Sequence, residues 1–267
     1  MPWSVFLLNE DLPLPAGAIG RLVQQSAGGV ALDHSQRLKL RYGWVAQGLE
    51  EGQADALVAL LGSNGLPALK KDEGRLVKLE RKFKVHRALL LEDALHLPVG
   101  LTTTELQAAP WDGVSVVSLG KVVTRKTKEV SSPSGKAAAV RSLGMLGATM
   151  LTGIPMRILP GPPKVERAAL EEVVEERILI HLIFASPPFV VEIRPKEFDY
   201  SYLGPRLAGT SRENFVLLLE DLARFAAGAH WTGITRTFLE TGNLAPDFKD
   251  ENDFLRFNQW ITEVAAN

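Results

Sequence analysis

The chain has 267 residues, 46% of them hydrophobic and 23% charged, the balance of a folded protein rather than a disordered one. Lys and Arg number 30 and Asp and Glu 31, so the net charge of -1 argues against whole-molecule affinity for nucleic acid or an anionic membrane. Cysteine is absent, which excludes disulfides, thiol nucleophiles, iron–sulfur ligation and Cys-based zinc sites.

Residues 1–11 carry no Lys or Arg, and the apolar run 5–8 is too short for the core of a secretory signal. The longest weakly polar stretch, 143–155, is broken by Gly144, Gly147 and Gly153 and falls short of the roughly 20 apolar residues of a spanning helix. A cytoplasmic location with no membrane span is the expectation.

The first 80 residues read as an α/β unit. Residues 3–8 form an apolar run bounded by Pro2 and Asn9, as expected of a buried strand. A helix follows, with Ile19, Leu22 and Val23 on one side, and Gly28-Gly29 ends it. Residues 30–32 suit a short strand. Over 38–46, Leu38, Leu40, Tyr42, Trp44 and Ala46 alternate with Lys39, Arg41, Gly43 and Val45, the period of a strand. A second helix from about Glu50 carries Ala54, Leu57, Val58 and Leu61, and Asn64-Gly65 stops it. Residues 66–70 close the unit. The order is β-α-β-β-α-β, a ferredoxin-like arrangement.

From 70 to 87 there are eight basic residues against three acids, a local charge of +5 that suits a junction or an exposed strand. Two short extended segments follow between 82 and 99. Pro110-Trp111-Asp112-Gly113 then turns the chain into a strand over 114–119, with Lys121-Val122-Val123 beyond it. Residues 121–139 are polar, with Ser131-Ser132-Pro133-Ser134-Gly135 at their centre, and read as an exposed loop.

Residues 165–176 hold five Glu against Arg167, with Leu170, Val173 and Val174 as the apolar side of an acidic helix. The strongest hairpin comes next. Residues 178–184 are apolar on both faces except His181, Ser186-Pro187-Pro188 makes the turn, and Phe189, Val191 and Ile193 alternate with Val190, Glu192 and Arg194. Thr210 and Glu213 have capping-box spacing before a helix with Phe215, Leu218, Leu219, Leu222 and Ala226 on one face. A shorter helix spans about 231–239. A last one starts near Asp250 with Phe254, Phe257, Ile261 and Val264.

The expected fold class is α+β. A ferredoxin-like unit (1–80) precedes an antiparallel β-rich unit with a capped helix (81–228), compatible with a pleckstrin-homology-like barrel, and a helical extension (229–267). Neither topology specifies a function.

No chemical motif emerges. The histidines (His34, His86, His96, His181 and His230) lack the i,i+3 or i,i+4 spacing of a helical metal site. Gly-x-Ser-x-Gly, Gly-x-Gly-x-x-Gly and the phosphate-loop signature are absent, so no catalytic, metal or cofactor residues are assigned. His181 reads as a neutral core histidine. Leu40-Arg41-Tyr42-Gly43-Trp44-Val45 faintly echoes an RNA-binding strand, but its aromatics share the face that packs under helices, so nucleic acid is not the expected partner.

Two surfaces stand out. Lys121, Arg125, Lys126, Lys128, Lys136 and Arg141 face only Glu129, a local +5, and could bind an anion or simply be solvated. Tyr200 and Tyr202 lie on the connection between hairpin and capped helix, as interface anchors or as clamps on the core. The expectation is a non-catalytic binding or scaffolding protein acting through an unidentified protein partner. The rivals are an enzyme whose dispersed polar residues, His181, Glu192, Asp199 and Arg212, meet in a cleft, and an anion or nucleic-acid binder using 121–141.

Overall fold

The computed structural model describes residues 1–10, 15–98, 106–130 and 169–266, with backbone alone for 40–41, 126–130 and 169–173. In it β1 (Trp3–Leu7) is the middle of a three-stranded antiparallel sheet, flanked by β2 (Trp44–Leu49) and β3 (Ala68–Asp72). Val5, Phe6 and Leu7 are all buried, which is why this strand is apolar on both sides. Three helices accompany the sheet: α1 (Ala16–Ala27), α2 (Ala31–Arg41) and α3 (Glu51–Ser63). Ala54, Leu57 and Leu61 are the buried stripe of α3, and Gln53 accepts the Glu50 amide at its start.

The ferredoxin-like order is corrected here. Residues 31–41 are α2, not a short strand and the start of a long one, so the order is β-α-α-β-α-β. The alternation over 38–46 is genuine, but Leu38 also lies in register with Ala31, His34 and Ser35 on one helical face, and those are the less exposed positions of α2. Packing against α1 decides the matter. A Cβ at Gly20 would sit 2.2 Å from Ser35 Oγ and 2.5 Å from the Ala31 carbonyl oxygen, so α1 and α2 cross as closely as glycine allows.

The larger sheet runs β11-β8-β9-β10-β4, with β4 (Lys82–Val85), β8 (Val114–Val130), β9 (Ala169–Ala185), β10 (Pro188–Ile193) and β11 (His230–Trp231); β12 (Asp247–Phe248) also pairs with β8. The predicted hairpin is β9–β10, antiparallel, with β9 between two neighbours as its two apolar faces require. The sheet is mixed rather than antiparallel, because β4 pairs with β10, and β11 and β12 pair with β8, all in parallel. That departs from the antiparallel barrel compatible with the sequence. A third, small sheet joins β5 (Leu89–Leu90), β6 (Ala94–Pro98) and β7 (Leu106–Pro110).

Two further expectations change. β8 continues to Val130, so the first half of the predicted loop is strand; its Ser-Pro-Gly centre lies outside the described residues. The second half of the acidic stretch, from Ala169, belongs to β9 and is not helix. Paired Glu and Val fit a helical face by spacing, but pairing with a neighbouring strand outweighs that weak preference.

Helix α4 (Ser211–Phe225) starts at the predicted capping box: Glu213 N donates to Thr210 Oγ1, and Thr210 N donates back to Glu213 Oε2. Helix α5 (Gly233–Thr241) and helix α6 (Glu251–Ala265) follow, α6 capped by the Asp250 side chain. Residues Met1–Val123 and Glu176–Asn267 form one compact unit and Thr124–Glu175 a second. The boundaries expected near 80 and 228 therefore fall inside the first unit. The cause is α6, which bonds to the N-terminal sheet: the Trp260 indole N–H donates to the Leu7 carbonyl, and Lys71 Nζ reaches the Glu263 carboxylate at 3.1 Å. No helix among the described residues is long and apolar enough to cross a membrane.

Candidate functional site

The densest convergence of ionisable groups lies between β9, β10, β4 and α6. Strand alternation puts His181, Glu192 and Lys82 on the face of the sheet that meets α6, in neighbouring register: His181 opposite Glu192, and Lys82 opposite Val190, two residues before Glu192. Helix α6 brings Glu251, Phe254 and Asn258 down onto them, one turn apart.

Glu192 and His181 are fully buried. The Glu192 carboxylate accepts from Lys82 Nζ at 2.7 Å and from Arg194 Nε at 2.8 Å, and His181 Nε2 stands 3.4 Å away. Glu251 takes the remaining donors, Lys82 Nζ at 2.9 Å and Arg194 Nη2 at 2.6 Å, with Arg177 at 3.5 Å. Asn258 Nδ2 lies 2.8 Å from His181 Nδ1, and the Phe254 ring covers the imidazole with centroids 4.5 Å apart. Donation from Asn258 to Nδ1 leaves the proton on Nε2, where it points at Glu192. That is one self-consistent neutral tautomer.

The electrostatics follow from those contacts. Burial alone would raise the Glu192 pKa, but hydrogen bonds from His181, Lys82 and Arg194 outweigh it and hold the carboxyl far below the usual range. Burial lowers the His181 pKa, with Glu192 only partly offsetting it, so the imidazole stays neutral. Burial likewise opposes the charge on Lys82, yet Glu192 and Glu251 together raise its pKa. Glu251 is held down by Lys82 against the opposing effects of burial and of Glu192.

Chemically the cluster is a lock. A carboxyl held that low is a poor proton acceptor near neutral pH, and both nitrogens of the fully buried imidazole face protein groups. What the cluster does well is tie α6 to three strands: removing one member of a buried ion pair leaves the other charge uncompensated.

Of the four residues weighed as dispersed catalytic groups, His181 and Glu192 meet, and the other two lie elsewhere. Asp199 is exposed and accepts the Ser201 amide; Arg212 is exposed in the first turn of α4. Sequence reasoning missed Lys82, Arg194, Glu251 and Asn258. The available signal was Glu192 followed by Arg194, two charges on one face of a strand otherwise apolar.

The two candidate surfaces fare differently. Lys121 pairs with Asp247 at 2.6 Å, and Arg125 is exposed at a strand position. The side chains of Lys126 and Lys128 lie outside the described residues. Tyr200 is buried, its hydroxyl donating to the Pro195 carbonyl at 2.8 Å, and burial pushes its pKa up to about 12. The Tyr202 ring sits edge-on to Phe198 with its hydroxyl buried beside Asp221. Both rings act as clamps that hold the connection to the core. The faint RNA echo dissolves likewise, since Tyr42 donates to Asp253 on α6 and packs on Phe248 and Phe257.

A separate side-chain contact joins His230 to Glu10, whose other oxygen accepts the Gly233 amide at the start of α5. Among the described residues no group of three or more His, Asp or Glu is arranged to hold a metal ion. Comparison of the chain with protein-family models, curated proteins and solved structures finds no match.

Proposed function

We propose that the chain is a non-catalytic binding or scaffolding protein that works through protein contacts. The observation that carries this reading is the state of the His181–Glu192 cluster. Where acid and base residues converge, His181 and Glu192 are fully buried, every charge is paired within the cluster, and the contacts join α6 to the sheet. The rival reading, an enzyme with dispersed polar groups, is supported by the 3.4 Å His181–Glu192 contact alone.

The test pairs two measurements on the full chain. Cross-linking and affinity capture, followed by reconstitution from purified components, is expected to give a stoichiometric complex with a protein. Broad turnover screening is expected to give no activity that His181→Gln abolishes. Wild-type turnover lost in a folded His181→Gln variant would overturn the reading in favour of the enzyme.

A further inference from the structure

We infer that the outer edge of β4 is a docking strip for an extended acidic peptide segment, which adds a strand to the larger sheet with Phe83 as its apolar anchor. The inference rests on the proposed binding role and gives it a place and a partner chemistry.

Strand β4 ends the order β11-β8-β9-β10-β4. It runs parallel to β10, and Val190 N donates to the Arg81 carbonyl at 2.8 Å. In a parallel ladder this register commits the peptide groups of Arg81, Phe83 and Val85 to β10 and turns the N–H and C=O of Lys82 and Lys84 outward. The edge closes just beyond Val85, where Asp199 N donates to the His86 carbonyl and Arg87 bridges Asp199. Among the described residues no strand pairs with the outer side of 82–84.

Phe83 is 50% exposed. Its ring meets Phe189 edge-on at 5.8 Å, and Phe189 stacks flat on buried Phe184 at 4.3 Å. Three rings on three strands thus lead from the interior to the open edge. Lysines on a terminal strand are the usual guard against self-pairing, and that bland reading accounts for Lys84. It does not account for a large apolar ring held in fixed geometry beside unpaired backbone groups, the kind of anchor that interfaces use.

Charge selects the occupant. Lys78, Arg81 and Lys84 are exposed and form no ion pair among the described residues, whereas Lys82 is already engaged by Glu192 and Glu251. Glu80 is the one acid between Lys78 and Arg87. A second copy of β4 would bring lysines against lysines. An extended segment alternating Glu or Asp with apolar residues is complementary to both the cations and Phe83, with main-chain bonds supplying the pairing.

The test uses fluorescence polarisation of a labelled peptide, Glu-Val-Glu-Phe-Glu-Val-Glu with Gly-Ser flanks, against the full chain. Saturable binding is expected. It should weaken at least tenfold in Phe83→Ser, in Lys84→Glu, and in Lys84→Pro. The last removes an outward amide together with the lysine charge but no bond to β10, and so should melt as the wild type does. A peptide of the same sequence with every backbone amide N-methylated keeps its charge and side chains but cannot donate to a strand, and should bind at least tenfold more weakly. No saturable binding to the wild type, equal binding of the N-methylated peptide, or unchanged binding by folded Phe83→Ser and Lys84→Glu would each overturn the docking strip. A natural partner captured equally by the wild type and by both of those variants would overturn the strip while sustaining the broader binding role.

Discussion

The three strands β9, β10 and β4 present two faces built on opposite principles. On one, Ile180 lies across from Ile193, Leu182 from Val191 and Phe184 from Phe189, an apolar surface stabilised by area. On the other, one residue along each strand, His181, Glu192 and Lys82 meet Glu251 and Asn258 of α6 through charge and hydrogen bonds. The apolar face tolerates any neighbour of the right shape. The charged face accepts only one partner helix in one register, because each buried donor or acceptor left over would carry its full desolvation cost. The difference assigns core stability to one side and placement of α6 to the other.

The comparison is broken most directly at Glu192. Replacing it by Ala leaves Lys82 and Arg194 with Glu251 alone and takes the acceptor from buried His181 Nε2, and denaturant unfolding should show a loss of about 3–5 kcal/mol. A loss under about 1 kcal/mol, the level of an exposed pair, would mean that the charged face does not fix α6. On the apolar face, Ile180→Ala should cost about 2–5 kcal/mol, as for a fully buried large-to-small change. Its cost should be the same at about pH 5 and about pH 8, since no titrating group is disturbed. An unchanged melting temperature would show that this face is not core.

His181→Gln sharpens the contrast through pH. The loss at neutral pH is expected to be about 1–3 kcal/mol, that of a buried hydrogen-bonding group deprived of its partner. In the wild type the folded imidazole has a pKa below 6.5, so as pH falls through 6.5 the unfolded chain takes up the proton first and stability declines. The Gln variant should lack that decline. Both proteins should share a second loss below pH 4.5, because Glu192 and Glu251 titrate lower in the folded state than in the unfolded chain. An identical wild-type and variant slope just below pH 6.5 would show that His181 is not held neutral. The smallest effect is expected for Phe83→Ser, about 1 kcal/mol or less, because the ring is half exposed and adds only its edge contact with Phe189. A larger loss would make Phe83 a core residue and remove it as a docking anchor.

Which parts of this were legible in the sequence follows from the range of the interactions. The β9–β10 hairpin and the starts of α4 and α6 are set by residues within a few positions of one another, namely the Ser-Pro-Pro turn, the Thr210–Glu213 box and the Asp250 cap, and all three could be read directly. The pairing of His181 with Glu192 was within reach too, because the hairpin register alone places them opposite. Helix α2 was misread because its residues satisfy both periods, and the tie is broken by Gly20 on another helix. Glu251 and Asn258 were beyond reading, since nothing local links a helix at 251–265 to a strand at 82–85. Lys82 looked like one more member of a solvated basic run and is instead the bridge between two carboxylates.

The seat of Trp260 has a consequence for how this chain is made. Its indole lies so close over Gly43 that a Cβ there would come within 2.0 Å of the ring, and its N–H closes on the Leu7 carbonyl across 253 residues of sequence. On the ribosome, at about 5–20 residues per second, tens of seconds separate the synthesis of the first strand from that of its lid. During that interval the Leu7 carbonyl and the glycine socket lack their native cover. The cover over this corner of the N-terminal sheet therefore waits for α6, and a chain stopped before residue 251 would lack the bond to the Leu7 carbonyl and the ring over Gly43.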